Sequence, residues 1–269
     1  MLVDLKAMPM TRSSLAQPAP GPLSALRREA VREVLACAAL LGGLSAAAVA
    51  ASDALEPAFA MRALAVFGLA CAVALHGLPA HAPHARFGAG NRVTLGRLAL
   101  ICALAGGIGL PLGTDADIAW TAAVVAAVAA LLDAVDGPLA RAGGLASAFG
   151  ARFDMECDAL LILVLCLLLL QGGKFGPWVL AAGLMRYAFV AAATGWHWLA
   201  RPLPPSQRRK AVCALQIVSL IVCLAPVIDG ATARLIAGAG LAALVFSFAA
   251  DLLWLARAHH ADNRESTAP

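Results

Sequence analysis

Charge is scarce in this chain: charged residues make up 13% of its 269 residues, against 61% hydrophobic ones. So low a polar content argues against a soluble domain with one core, and a formal charge of +4 is too modest to indicate a nucleic-acid partner. Paired cysteine motifs are missing as well. Cys37, Cys71, Cys102, Cys157, Cys166, Cys213 and Cys223 contain no C-x-x-C, are odd in number and lie mostly inside apolar runs. Neither a disulfide framework nor a zinc site is indicated, and the thiols read as small core residues.

What is present is a series of apolar runs of bilayer-crossing length, at 34–51, 63–78, 98–112, 118–132, 153–170, 178–193, 212–228 and 235–255. They predict an all-α polytopic membrane protein with eight spans. The domain reading is a polar, Pro-rich cytosolic leader (1–33), two additional transmembrane helices (34–78), a loop and interfacial helix (79–97), a six-helix catalytic core (98–256) and a cytosolic tail (257–269). The first run ends in AVAAS, which resembles a cleavage site; the long leader and long apolar core predict a retained anchor instead. His81 and His84 sit in a Pro-rich loop without Cys or carboxylate neighbours and are expected to be solvated.

The basic residues give the orientation. With the N-terminus inside, the outer loops hold only Arg62, Lys174 and Arg234, and Arg186 falls mid-span; every other Lys and Arg lies on the inner side. Both termini are therefore expected in the cytosol.

The densest polar stretch runs from Asp133 to Asp158, DAVDGPLARAGGLASAFGARFDMECD. Two spans meet there at one membrane face. Asp133 and Asp136 are spaced i,i+3 at the end of one helix, and Asp154 and Asp158 are spaced i,i+4 at the start of the next, so each pair occupies one side of its helix. Four carboxylates aimed at a common point require cations. Hard oxygen ligands suit magnesium, manganese or calcium, and two such ions form a clamp suited to displacement at phosphorus. Gly137 and Gly150 leave room for a ligand or a neighbouring helix. A carboxylate-rich hairpin whose glycines serve only packing is the plainer alternative.

These residues carry a resemblance. Asp133-x-x-Asp136-Gly137-x-x-Ala140-Arg141, eight residues, then Gly150-x-x-x-Asp154-x-x-x-Asp158 resembles the complete signature of the CDP-alcohol phosphatidyltransferase family. Asn91, Thr94 and Arg97 are similar to that family's N-x-x-T-x-x-R entry to its first core helix, and the likeness covers about 91–256. It implies a transferase of phospholipid biosynthesis that moves a phosphatidyl group from a CDP-linked lipid, usually CDP-diacylglycerol, to a small alcohol and releases CMP. Asp133, Asp136, Asp154 and Asp158 would hold two divalent cations, Mg2+ or Mn2+, with Asp158 also the general base. Gly137, Ala140, Arg141 and Gly150 would line the cytidine-diphosphate pocket, and Arg141 would neutralise charge as CMP leaves.

The acceptor half is less defined. Arg186, mid-span, is assigned to acceptor or substrate phosphate, or else to an ion pair with an aspartate. Arg208, Arg209 and Lys210 read first as a positive-inside anchor and second as a gatherer of an anionic acceptor, a role Arg97 can share. Glu156, off the Asp154/Asp158 face, reads as a packing or surface residue. Trp196, His197 and Trp198 read as interfacial. Glycerol 3-phosphate is the favoured acceptor, with inositol phosphate, serine or another polyol open. The chain is expected in a bacterial inner membrane, as a homodimer, with its site facing the cytosol. A divalent-cation transporter and a silent scaffold are the alternatives from other classes.

Overall fold

A computed structural model describes residues 22–201, 203–204 and 206–266; the first 21 residues of the expected leader and the last three of the expected tail lie outside the described residues. Among the described residues the regular structure is helical: α1 (Pro22–Ala51), α2 (Pro57–His76), α3 (Ala89–Gly106), α4 (Ala116–Ala142), α5 (Ala148–Gln171), α6 (Leu180–Gly195), α7 (Gln207–Leu224) and α8 (Gly230–Ser266), with short 3-10 turns at Leu78–His81, Pro177–Val179 and His197–Ala200.

Local chemistry sets several boundaries. Pro57 occupies the first turn of α2, where its missing N–H costs nothing. Asp115 caps α4 by accepting from the Asp117 and Ile118 amides at 2.9 and 3.1 Å, and Ser147 caps α5 by accepting from Gly150 N–H at 3.1 Å. Two boundaries differ from the sequence expectation. The interfacial helix and the run at 98–112 are one helix, α3, which starts at Ala89 and ends at Gly106; Gly96 falls where the two meet without breaking it, whereas Gly107 and Pro111 stop it early. Helix α4 continues past residue 132 to Ala142, through Pro138, and so keeps Asp133 and Asp136 inside a helix.

Helices α1, α2, α4, α6 with its leading turn, and α8 are long and apolar enough to cross a membrane. They turn large side chains such as Leu40, Leu69, Leu131 and Phe246 outward, as a lipid solvent permits. The other three carry charge: Arg92 and Arg97 on α3, Asp154, Glu156 and Asp158 on α5, and Arg208, Arg209 and Lys210 on α7. Helices α3 and α5 are also the most enclosed. Helix α3 packs on α1, α2, α4 and α5, and α5 adds α6 and α7.

Polar bonds stitch the two ends of the bundle. At one, Arg62 Nε donates to Gly106 O at 3.0 Å, Gln171 bonds the Gly107 carbonyl at 3.1 Å and Lys174 Nζ donates to Ile228 O at 2.8 Å. The other end holds the clustered aspartates. The N-terminal pair is anchored to both ends of α3, because Arg92 Nη2 lies 3.0 Å from Glu29 and 3.0 Å from Glu33 of α1.

Candidate active site

Asp133 and Asp136 on α4 face Asp154 and Asp158 on α5, as their helical spacing requires. At their centre is Arg97 of α3, 0% exposed. Its Nη1 lies 2.7 Å from Asp133 Oδ1, 2.8 Å from Asp136 Oδ2 and 2.6 Å from Asp154 Oδ1, and its Nη2 lies 2.7 Å from Asp158 Oδ1. Nε donates to the Ala129 carbonyl at 3.2 Å. The two Nη1 hydrogens serve Asp136 and Asp154, so Asp133 approaches as an ion pair alone. Sequence reasoning gave Arg97 to acceptor phosphate; its guanidinium is instead enclosed by carboxylates, because α3 is the helix against which α4 and α5 both lie.

The four acids are not equivalent. Asp136 is the deep one, its side chain 7% exposed, with Oδ2 also 3.0 Å from the Thr94 hydroxyl. Asp133, 42% exposed, opens outward. Asp133, Asp154 and Asp158 each bring one oxygen within 4.8 Å of the others, a group able to hold a metal ion. The donor set fits a hard divalent cation: four carboxylates share one guanidinium, which leaves uncompensated negative charge among oxygen ligands. On the far side of Asp158, the Cys213 thiol of α7 approaches Oδ2 at 3.7 Å.

The small residues of the signature act as approach points. A Cβ on Gly90 would lie 2.8 Å from the Ala140 methyl and 2.9 Å from the Asp136 carbonyl, so Ala140 sets the α3–α4 distance. A Cβ on Gly150 would lie 3.0 Å from Asn91 Oδ1, while Asn91 Nδ2 donates to Phe87 O at 2.6 Å. Gly137 adjoins the guanidinium of Arg141, 3.3 Å from the position of a Cβ, and Arg141 itself is exposed.

Arg186, Arg208 and Arg209 have protein partners. Arg186 of α6 pairs with Glu156 of α5 and not with an aspartate. Arg208 and Arg209 share Asp251 of α8, and Arg208 also bonds the Ser247 carbonyl at 2.7 Å. Lys210 is exposed, and so are Trp196 and His197. Asp251, an acid inside an otherwise apolar run, was the signal that could have disclosed the partner of Arg208.

His81 is corrected outright: it is fully buried, not solvated. Its Nε2 lies 2.8 Å from the Arg86 carbonyl, which can only accept, so that nitrogen carries the proton. Nδ1, 2.6 Å from Ser147 Oγ, then accepts from the same hydroxyl that caps α5. Burial holds the His81 pKa below its usual value. The helix bearing Asp154 and Asp158 is thereby tied to the loop before α3.

A bundle of long apolar helices in which α4 and α5 oppose their carboxylates at one end defines an integral membrane protein with a polar site. The family model for CDP-alcohol phosphatidyltransferase matches residues 87–255, more than half of the chain, and the chain belongs to that family. It is thus a transferase of the phosphotransferase type, acting in head-group transfer from a CDP-alcohol. Comparison with curated proteins and with solved structures gives no match.

Proposed function

We propose that the chain transfers a phosphatidyl group from CDP-diacylglycerol to a small alcohol, with glycerol 3-phosphate the favoured acceptor. The supporting observation is the convergence of Asp133, Asp154 and Asp158 from two helices at one end of the bundle. Asp133, Asp136, Asp154 and Asp158 would hold two divalent cations, Mg2+ or Mn2+, whose chemistry when bound would be neutralisation of phosphate charge and polarisation of oxygens for displacement at phosphorus. Asp158 takes the proton of the acceptor hydroxyl as its oxygen bonds the lipid-side phosphorus; the bond to CMP breaks and CMP leaves with the electron pair. Arg141, exposed beside Gly137, meets the diphosphate, and Gly137, Ala140 and Gly150 admit the nucleotide along α4 and α5.

Lys210, exposed on α7, has no carboxylate partner among the described residues, which suits an acceptor phosphate. Inositol phosphate, serine and other polyols are the competing acceptors. All eight helices are read as spans, with both termini and the site on the cytosolic side of a bacterial inner membrane, and the chain as a homodimer. The transporter reading loses ground because α4 and α5 run unbroken through their acids.

CMP release from CDP-diacylglycerol, assayed over a panel of acceptors with magnesium or manganese, tests the reaction and ranks the acceptors. Release with none of them overturns the proposal. Asp158→Asn is expected to lower release by about a hundredfold or more, the scale of a lost general base; full activity would remove Asp158 from that role.

A further inference from the structure

Helix α1 sorts its charges at the end of the bundle where the carboxylates cluster. Glu29 and Glu33, four apart, turn toward α3 and bond Arg92. Arg28 and Arg32, also four apart, turn away with Arg27 and line a groove of about 600 Å³ between α1 and α2. His76, the last residue of α2, closes the groove from the opposite side. Among the described residues these three arginines have no carboxylate partner, since both acids of their own turn are committed to Arg92. Below the basic rim the walls become apolar: Leu35 belongs to the uncharged part of α1, and Ala72 and Leu75 to the matching part of α2.

A cationic rim at the level where the helices leave the bilayer, continuous with an apolar trough, has the chemistry of an acidic phospholipid. We infer that this groove is a binding site for one anionic phospholipid, its phosphate among Arg27, Arg28, Arg32 and His76 and an acyl chain along Leu35, Ala72 and Leu75. Three guanidiniums without acids suit an anion. A free phosphate would leave the apolar trough unfilled, so the occupant is a lipid. The groove lies outside residues 87–255, on the two helices that the transferase family does not account for. It is independent of the transfer reaction proposed above.

The test uses the full chain in phosphatidylcholine nanodiscs, with phosphatidylglycerol added and retained lipid read by native mass spectrometry. Wild type is expected to retain phosphatidylglycerol in preference to phosphatidylcholine. The Arg28→Gln/Arg32→Gln variant is expected to bind it about 30-fold more weakly, the effect of removing two basic groups from an anionic lipid. Ala72→Trp fills the trough while keeping every charge, and is expected to lose retention with an unchanged thermal transition. If the double variant does not insert, Ala72→Trp alone decides. Wild-type retention by Ala72→Trp, or no preference between the two lipids in wild type, overturns the inference. Displacement of the lipid by inorganic phosphate overturns the choice of a lipid over a free anion.

Discussion

A single side chain, Arg97, decides how the charge of the site is managed. Four carboxylates around one fully buried guanidinium form a network in which removing the cation strands the buried Asp136 and leaves three partly exposed acids uncompensated. Arg97→Met is expected to destabilise the protein by about 3–5 kcal/mol, the scale for breaking a buried ion pair, and added magnesium should restore more of the thermal transition in the variant than in wild type. Equal restoration in both would mean that Arg97 and the metal do not share the same carboxylates. His81 makes a second, pH-dependent contribution. The fold keeps it neutral with a lowered pKa, whereas an unfolded chain protonates it near pH ~6.5. The unfolded state therefore binds more protons just below that pH. The stabilisation is complete above it and is lost as pH falls through the lower folded value. Thermal transitions in detergent at about pH 5 and about pH 8 should differ more for wild type than for His81→Gln.

Between neighbouring helices, approach distance is set by residues without side chains. At Gly90 a Cβ would meet both the Ala140 methyl and the Asp136 backbone, neither of which can swing aside. Gly90→Val is expected to cost about 1–3 kcal/mol through overpacking and to lower transferase activity by tilting Asp136 away from Thr94 and Arg97; unchanged activity in CMP release would show that the α3–α4 crossing tolerates the strain. The pairing of Asp133 with Asp136 and of Asp154 with Asp158 was legible in the sequence because three- and four-residue spacing fixes side on a helix without knowledge of neighbours. The position of Arg97 was not. Its part depends on α3 lying between α1, α2, α4 and α5, a packing that local spacing does not encode. The same holds for His81, whose Pro-rich surroundings resemble a solvated loop until the start of α5 covers it with Ser147 and Phe149.

At the scale of the whole molecule, the acids that outnumber Arg97 would concentrate the effect of a bound metal at one end of the bundle. Chelation is expected to lower the thermal transition, and divalent cation at about a hundred times its dissociation constant to restore about 2.7 kcal/mol; a transition indifferent to chelator would separate the carboxylates from any metal role. The eight helices were legible as apolar runs, and five of them have the length and hydropathy that a bilayer demands. Which of them are enclosed was less so. Helices α3 and α5 carry Arg97, Asp154 and Asp158 and are sheltered by their neighbours, an arrangement that follows from three-dimensional packing. Arg97 has one more consequence, for biogenesis. A chain made from its N-terminus completes α3 before α4 and α5 exist, so Arg97 is synthesised ahead of Asp133, the first acid of the cluster. Synthesis order thus puts the positive charge ahead of the four acids that it meets in the fold.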